Sequence, residues 1–465
     1  MNLVLKNDLN LLSDILDEVK SSGIAYLNGL DLLPTSVSDQ DIEEIQLLGT
    51  GHGTMKSLEI FKENYQKLIV ASSGPRYLGF VIGGTTPAAI AGDWLTSIFD
   101  QNPQSLKGAG DISAQIEMET IRLLLELFNL PAQFNGGFVS GATMANFTGL
   151  AVARQWAGVS LGMDIALEGM TSEIVVLGPT PHSSVFKALS MLGFGSSNVV
   201  KINSLSGREA LDISDLESKL IQYSGKPVIL NCSAGTVNTV DFDDIRAIVE
   251  LKKKYNFWLH IDAAFGGFAA CSPSQKYLLN GWEHADSITI DCHKWMNVPY
   301  DSAIILTKKE HHTLQTQTFQ NSNAPYLGDP ETDFSYLNFL PENSRRFRAL
   351  PAWFSLMAYG REGFQSIVEN SISNAQNFGS YLDKSDALEL KAPVRLNVVC
   401  FGLKRSGEKT AEFLSVLNSR GKVFMTATLL DGKLCIRAAF VNYRTTQADI
   451  AIVIEELEAV CIQLF

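Results

Sequence analysis

Three observations predict an α/β fold for this chain: short apolar segments, amphipathic segments between them, and a length of 465 residues. This length exceeds what one simple core usually supports, so we expect two domains and a terminal arm. Short apolar strands separated by helices are typical of a mostly parallel sheet that is covered on both faces. We place the arm at residues 1–103, a large domain at 104–345 and a smaller α+β domain at 346–465.

Residues 1–103 are predicted to form a helical arm. Apolar residues at helical spacing predict an amphipathic helix over residues 8–20: Leu9, Leu12, Ile15, Leu16 and Val19. Residues 71–102 contain several turn signals, GP at 74–75, GG at 83–84 and TP at 86–87. Residues that interrupt helices and strands, placed beside apolar residues, indicate a segment that packs on another surface. A second subunit is one candidate for that surface.

The predicted large domain alternates helices and strands. Helices are expected over residues 116–128, 143–156, 185–192 and 244–255, and strands over residues 174–177, 228–232, 257–262 and 287–291. Residues 311–345 are polar and weakly periodic, so we expect a long loop, which in a compact protein is more often functional than idle. From about residue 350 the predicted order is helix, strand, helix, strand and helix.

Composition and charge exclude several classes of protein. The net charge is −13, which disfavours binding to nucleic acid or to an anionic membrane surface. We find no signal-peptide pattern and no run of ~20 apolar residues, so we expect no membrane span and a cytoplasmic location. The six cysteines form no C-x-x-C pair and none has a histidine at zinc-ligand spacing, so no metal site is predicted.

Two predicted strands end in residues that can carry chemistry. Asp262 stands at the carboxyl end of the strand over residues 257–262, and Lys294 follows the strand over residues 287–291. In open α/β sheets, ligands collect beyond the carboxyl ends of the strands. We therefore expect Asp262 and Lys294 to converge on one crevice.

Pyridoxal phosphate requires this pair of residue types. Its aldehyde forms a Schiff base with a lysine amine, and its pyridine nitrogen stays protonated beside a carboxylate. The protonated ring then accepts electrons from a bond broken at the substrate Cα. On the pair alone a second interpretation stays open, in which Asp262 caps a turn and Lys294 is solvated.

A glycine-rich segment before a predicted helix strengthens the cofactor interpretation. In the sequence GGFVSGAT at residues 136–143, small residues let a phosphate approach, and the first helical turn offers free N–H groups. The Thr143 hydroxyl can add a hydrogen bond. A simple N-capped helix explains the same residues, and the segment matches neither G-x-G-x-x-G nor a Walker loop, so a nucleotide is not favoured.

Three histidines lie near these strand ends. His182 follows the strand over residues 174–177, where an imidazole can stack on a pyridine ring, although a lone loop histidine is more often structural. His293 can donate a hydrogen bond to a phosphate or satisfy a local carbonyl. His260 alternates with Asp262 along its strand, and we interpret it as structural.

Together these segments resemble the group II pyridoxal-phosphate-dependent amino-acid decarboxylases, the family of aromatic-amino-acid and glutamate decarboxylases. Six motifs agree in order: GPRYLG at 74–79, VSGATMAN at 139–146, PHSS at 181–184, HIDAA at 260–264, HKW at 293–295 and SRRFR at 344–348. Each motif is weak alone, but six in order make a strong signal. The first motif is more similar to the aromatic branch than to the glutamate branch.

The resemblance implies roles for individual residues. Lys294 matches the lysine that bonds the cofactor, Asp262 the partner of its ring nitrogen, and His182 the ring-stacking histidine. The other cofactor contacts that it implies are Ala142, Thr143 and His293 at the phosphate, and Thr236 and Ala264 along the ring. Tyr326 matches a mobile-loop tyrosine that protonates Cα, and its presence favours simple decarboxylation over oxidative aldehyde formation.

The resemblance also implies an architecture: the type I pyridoxal-phosphate transferase fold, with a mostly parallel seven-stranded sheet and active sites at a homodimer interface. Three departures weaken the transfer of substrate identity: Met144 stands where many members have Glu, Asp291 where several have Asn, and Cys292 where many have Pro. Two alternatives therefore stay open. One is another pyridoxal-phosphate enzyme (an aldehyde synthase, lyase or aminotransferase), and the other is a binding protein without turnover.

Overall fold

The computed structural model describes residues 1–38, 44–105, 111–170, 173–320 and 334–465. The strands are β1 (Phe134–Val139), β2 (Val175–Gly178), β3 (Val199–Lys201), β4 (Val228–Ser233), β5 (Trp258–Asp262), β6 (Ser287–Ile290), β7 (Ala303–Lys308), β8 (Leu388–Leu390), β9 (Val398–Leu403), β10 (Thr426–Leu430) and β11 (Lys433–Ala439). The helices are α1 (Leu3–Asn10), α2 (Leu12–Gly29), α3 (Thr54–Asn64), α4 (Pro87–Phe99), α5 (Ser113–Leu127), α6 (Ala142–Ser160), α7 (Ile165–Glu168), α8 (Ser183–Met191), α9 (Ile213–Gln222), α10 (Ile245–Lys252), α11 (His312–Phe319), α12 (Ala349–Lys384), α13 (Thr410–Ser419) and α14 (Gln447–Leu464).

The larger sheet has seven strands in the order β1-β7-β6-β5-β4-β2-β3. From β6 to β3 every neighbouring pair is parallel, whereas β7 is antiparallel to both β1 and β6. Its central strands are fully buried, as expected for a sheet covered on both faces. The predicted α/β class, with a mostly parallel seven-stranded sheet, is confirmed.

Strands β1, β3 and β7 lie outside the predicted strands. Strand β1 contains Gly136 and Gly137, and glycine ordinarily weakens a strand. The low strand propensity of these residues is the reason why β1 was not predicted. A Cβ atom at Gly136 would lie 2.7 Å from Leu306 Cδ2, and one at Gly137 would lie 2.7 Å from Leu340 Cδ1. The neighbouring side chains fill the space of the missing ones, so packing overrides propensity at both positions.

The predicted loop over residues 311–345 is wrong in its first part, because α11 lies there. The helix lacks an apolar stripe, which removed the periodic signal. Polar contacts hold it instead: Gln315 is fully buried, accepts a hydrogen bond from Thr307 Oγ1 and donates one to the Phe339 carbonyl at 2.8 Å. A buried, satisfied amide thus substitutes for part of the usual apolar face.

The helix predicted over residues 8–20 is divided between α1 and α2, which meet at Leu11. Of its five apolar residues, only Ile15 is buried, at 8% exposure. The other four are 38–60% exposed: Leu9, Leu12, Leu16 and Val19. The apolar stripe was correctly located, but within this chain it covers little of the core.

The C-terminal sheet has four antiparallel strands in the order β10-β11-β9-β8. The sequence predicted two strands after residue 350, and the structure has a pair of strands in place of each of them. Leu78, from the predicted arm, is in the core of this sheet: its N–H donates to the Phe424 carbonyl at 2.8 Å, and its carbonyl accepts from Ala439 at 2.9 Å. The boundaries at residues 103 and 345 stay predictions.

Candidate active site

Two neighbouring parallel strands hold the predicted acid and amine. Asp262 is the last residue of β5, and Lys294 follows β6, which ends at Ile290. The carboxyl ends of both strands therefore lie at the same edge of the sheet. A cavity of about 770 Å³ lies at that edge, and Lys294 and Asp262 line it together with the predicted residues His182, Thr236 and Ala264.

Lys294 is held by contacts from three directions. Its Nζ lies 3.1 Å from Asp291 Oδ2 and 5.7 Å from the centroid of the Phe265 ring. Its carbonyl accepts a hydrogen bond from the Asn297 N–H at 3.3 Å. Gly83 packs on the same carbonyl, since a Cβ atom there would lie 1.7 Å from the Lys294 oxygen. The sequence marked Gly83 only as a turn residue.

We expect Gly83→Ala to lower the free energy of unfolding by roughly 1–3 kcal/mol, because the new methyl group must displace the Lys294 backbone. Urea unfolding followed by circular dichroism measures the effect. Gly51→Ala is the matched control, because no atom lies within 4 Å of a Cβ atom at Gly51. Equal shifts in the two variants would contradict this packing argument.

Asp291, one of the three departures, is a charge partner of the predicted lysine. Its carboxylate accepts a hydrogen bond from the Ala142 N–H at 2.9 Å, and Oδ2 lies 3.1 Å from Lys294 Nζ and 3.4 Å from His293 Nε2. Burial alone would raise the pKa of this carboxyl, but Lys294 and His293 outweigh burial and hold the pKa below its ordinary value. The negative charge beside α6 is therefore compensated.

The start of α6 lies close to His293, one of the predicted phosphate contacts. The helix begins at Ala142 and has Thr143 in its first turn. A Cβ atom at Gly141 would lie 3.3 Å from His293 Cε1, so glycine lets the imidazole approach the helix terminus. His293 therefore lies beside the start of the helix that carries Ala142 and Thr143. In this first turn the Ala142 N–H donates to Asp291 and the Met144 N–H donates to the Gly141 carbonyl, so these two groups are already bonded. The phosphate contacts of Ala142, Thr143 and His293 stay predictions.

The other two departures are apolar in character. Met144 packs against an apolar cluster that includes Val139 and Ala303, so no charge is buried where many family members have Glu. Cys292 is fully buried, and burial raises the pKa of its thiol, which stays protonated. Neither residue lines the cavity.

Asp262 is bound by donors from two elements. Its Oδ2 accepts a hydrogen bond from Asn146 Nδ2 at 3.0 Å, and its Oδ1 accepts one from the Ala264 N–H at 3.2 Å. Asn146 also contacts His260, whose Nε2 lies 2.9 Å from Asn146 Oδ1. Burial lowers the pKa of His260 to about 4, so this imidazole is neutral at physiological pH.

His182 caps α8 and faces the cavity. Its Nδ1 lies 3.3 Å from the Ser184 N–H and 2.8 Å from Ser184 Oγ. Burial lowers the pKa of the imidazole, although the charge of Asp262 opposes that shift. His182 is therefore neutral at physiological pH and has a defined ring orientation.

Five charged residues that were not predicted from the sequence also line the cavity: Lys201, Arg208, Glu209, Asp431 and Arg437. Two of them contact other parts of the site or lack a charge partner. Glu209 accepts hydrogen bonds from Thr236 Oγ1 at 2.6 Å and Thr239 Oγ1 at 2.7 Å, so it orients the predicted ring contact Thr236. Arg437, in β11, is 8% exposed, and among the described residues it forms no ion pair and its Nε has no partner. No motif marked either residue, because both reach the cavity from remote segments. The predicted residue Tyr326 lies outside the described residues.

The fold and the convergent amine and carboxylate define an enzyme that uses pyridoxal phosphate. The described residues fit this cofactor, since Lys294 and Asp262 share a cavity whose volume is typical of small-molecule sites. The model of the pyridoxal-dependent decarboxylase conserved domain matches residues 56–404, so the chain belongs to that family. It is a pyridoxal-phosphate-dependent amino-acid decarboxylase, and the predicted family and cofactor are confirmed.

Individual relatives agree with this assignment. An aromatic-L-amino-acid decarboxylase of Bacillus atrophaeus is 28% identical over 97% of this chain and 93% of its own length. A phenylacetaldehyde synthase of Arabidopsis thaliana is also 28% identical, over 70% of each chain. The crystal structure of Oryza sativa TDC with PLP and tryptamine has a TM-score of 0.90 at 20% identity and covers 98% of both chains, which shows a shared fold.

Proposed function

We propose that this enzyme decarboxylates an L-amino acid through Lys294, Asp262 and His182, and that it favours aromatic side chains. The observation that carries the proposal is the shared cavity of the Lys294 amine and the Asp262 carboxylate. The name of the Bacillus relative, which spans nearly the whole chain, supports the aromatic preference.

Each residue has a separate task in this proposal. When bound, pyridoxal phosphate supplies a carbonyl carbon for amines and a ring that accepts an electron pair. The Lys294 amine would hold that carbon, and the Asp262 carboxylate would keep a proton on the ring nitrogen. His182 would contact the ring. The remaining assigned contacts are Ala142, Thr143 and His293 for the phosphate, and Thr236 and Ala264 for the ring.

Arg437 is the residue that we assign to the substrate carboxylate. Its terminal nitrogens donate to the Val237 carbonyl at 3.1 Å and the Phe80 carbonyl at 3.4 Å, which are neutral acceptors. A buried guanidinium without a described ion-pair partner is costly unless it receives an anion. A carboxylate bound there would be oriented, and orientation decides which bond at Cα breaks.

Simple decarboxylation competes with aldehyde formation, because one relative is a phenylacetaldehyde synthase. We favour decarboxylation because Tyr326 matches the tyrosine of decarboxylases in the family motif. In this proposal Tyr326 delivers a proton to the substrate Cα.

The test is one incubation assay with the cofactor-loaded enzyme and a panel of L-amino acids. The panel contains tryptophan, tyrosine, phenylalanine, glutamate and 2,4-diaminobutyrate, and the assay measures carbon dioxide, amine, aldehyde and keto acid together. We expect equal amounts of carbon dioxide and amine, mainly from the aromatic substrates. Aldehyde in place of amine would refute simple decarboxylation, whereas amine mainly from glutamate or diaminobutyrate would refute only the aromatic preference. Cofactor loading without any product would favour a binding protein.

We also infer a homodimer with shared active sites. Several apolar side chains along α1 and α2 are exposed, including Leu5 at 60% and Leu12 at 52%, and an interface with a second subunit would bury them. Sedimentation equilibrium of the full chain tests the inference, and a monomer at micromolar concentration would contradict it.

None of the described helices is long and apolar enough to cross a bilayer. The cytoplasmic location stays a proposal.

A further inference from the structure

A chain of hydrogen bonds runs beneath the cavity, and donor chemistry fixes its direction. Trp258 Nε1 can only donate, and it donates to Ser287 Oγ at 2.9 Å. The Ser287 hydroxyl is then free to donate to His260 Nδ1 at 2.8 Å. The neutral imidazole consequently has its proton on Nε2, which donates to Asn146 Oδ1 at 2.9 Å. Every step points toward Asn146.

At Asn146 the chain divides into two branches. The amide Nδ2 has two protons, and it donates to Asp262 Oδ2 at 3.0 Å and to Ser184 Oγ at 3.2 Å. Ser184 continues the second branch, because its hydroxyl lies 2.8 Å from His182 Nδ1. The Ser184 N–H also points at Nδ1, so this nitrogen is an acceptor and the proton of His182 is on Nε2.

The inner members of the chain are enclosed in protein, although its end at His182 is exposed. Asn146, His260 and Ser287 are all 0% exposed, so water does not compete for their hydrogen bonds. The imidazole of His260 lies against Gly149, where a Cβ atom would be 2.8 Å from His260 Cε1. Glycine at position 149 of α6 therefore leaves the space that the His260 imidazole occupies.

We propose that Asn146 is a positioning residue that fixes both the Asp262 carboxylate and the His182 tautomer, and that His260 acts by fixing the amide of Asn146. The inference rests on the proposed roles of Asp262 and His182 as contacts of the cofactor ring. One amide therefore sets the hydrogen-bonding state of both groups. Which nitrogen of a histidine is protonated depends on the bond made by the other nitrogen, and both histidines of the chain follow this rule.

Asn146→Asp is the sharpest test, because it keeps the shape but replaces two donated hydrogen bonds with acceptors beside Asp262. We expect kcat to fall roughly 10- to 100-fold, the range seen when supporting contacts of a site are removed. KM should change much less, since Asn146 does not line the cavity. The absorbance spectrum of the bound cofactor should change as well, because it reports protonation of the ring system. Asn370→Asp, at an exposed position of α12, is the matched control.

A second pair of variants tests the indirect role of His260 and covers the case in which Asn146→Asp fails to fold. His260→Gln keeps a donor that can reach Asn146, whereas His260→Leu removes it. We expect the leucine variant to reproduce the spectral change and the glutamine variant to restore most of the original spectrum. Equal spectra and equal kcat in wild type, Asn146→Asp and His260→Leu would overturn the proposal. Wild-type protein that binds no pyridoxal phosphate would instead refute the proposed function.

Discussion

Lys294→Ala is expected to lower the rate of decarboxylation by more than ~10³-fold and to abolish the covalent attachment of pyridoxal phosphate. The reason is that the Nζ amine reaches the cavity beside Asp291, whereas alanine has no nucleophile. The fold should survive, because the Lys294 side chain is partly exposed and its backbone contacts to Gly83 and Asn297 do not need the amine.

Borohydride reduction followed by peptide mass spectrometry measures the attachment directly. In wild type we expect the cofactor mass on the peptide that contains Lys294, and in Lys294→Ala we expect none. Lys201 provides the matched control, because it is a second lysine that lines the same cavity. Lys201→Ala should keep the labelled peptide, and loss of label in Lys201→Ala alone would show that the wrong lysine had been assigned.

The convergence of Lys294 and Asp262 was predictable because the carboxyl ends of parallel strands meet at one edge of a sheet. Only the identity and order of neighbouring strands were needed, and both strands are apolar and easily located. The same logic placed His182, which follows β2 on that edge.

The supporting residues were not predictable in this way. Arg437 reaches the cavity from β11, and Gly83 packs on the Lys294 carbonyl from the segment before α4. Neither sequence position indicates the contact. Asn146 was visible within a motif, but its bond to Asp262 depends on how α6 packs over β5. Residues that act across remote segments leave no periodic or spacing signal in a single sequence.

The missed strands and the missed helix have a related cause. Strand β1 contains two glycines that packing requires, and α11 is held by the buried amide of Gln315 instead of an apolar stripe. In both elements, contacts from other parts of the chain override local preference. Local pattern therefore located the central parallel strands β2, β4, β5 and β6, but it located neither the edge strands β1 and β3 nor the antiparallel strand β7.

A buried ion pair lies along the free edge of β1, the outermost strand of the seven-stranded sheet, and connects three segments. Arg345 and Glu117 are 1% and 0% exposed, and they form two hydrogen bonds at 2.9 and 3.0 Å. Glu117 also accepts from the Phe138 N–H at 2.8 Å, while Arg345 donates to the Pro103 carbonyl at 2.7 Å. This explains the first arginine of the SRRFR motif, which ties residues 103 and 345 to β1.

Breaking this pair should have the largest effect on stability. We expect Arg345→Met to lower the free energy of unfolding by about 3–5 kcal/mol, because Glu117 is left as a buried charge without a partner. The double variant Glu117→Gln, Arg345→Met should recover part of that loss, since it removes both charges, and this recovery separates charge from packing. Urea unfolding of the single and double variants measures both quantities.

The same helix provides the control for this experiment. Arg122 and Glu126 form an ion pair on α5, but their side chains are 58% and 60% exposed, so solvent screens the charges. Arg122→Met should therefore leave the unfolding midpoint nearly unchanged. If Arg345→Met behaved like Arg122→Met, water would have to reach Glu117, and the enclosed position of the pair at the edge of β1 would be wrong.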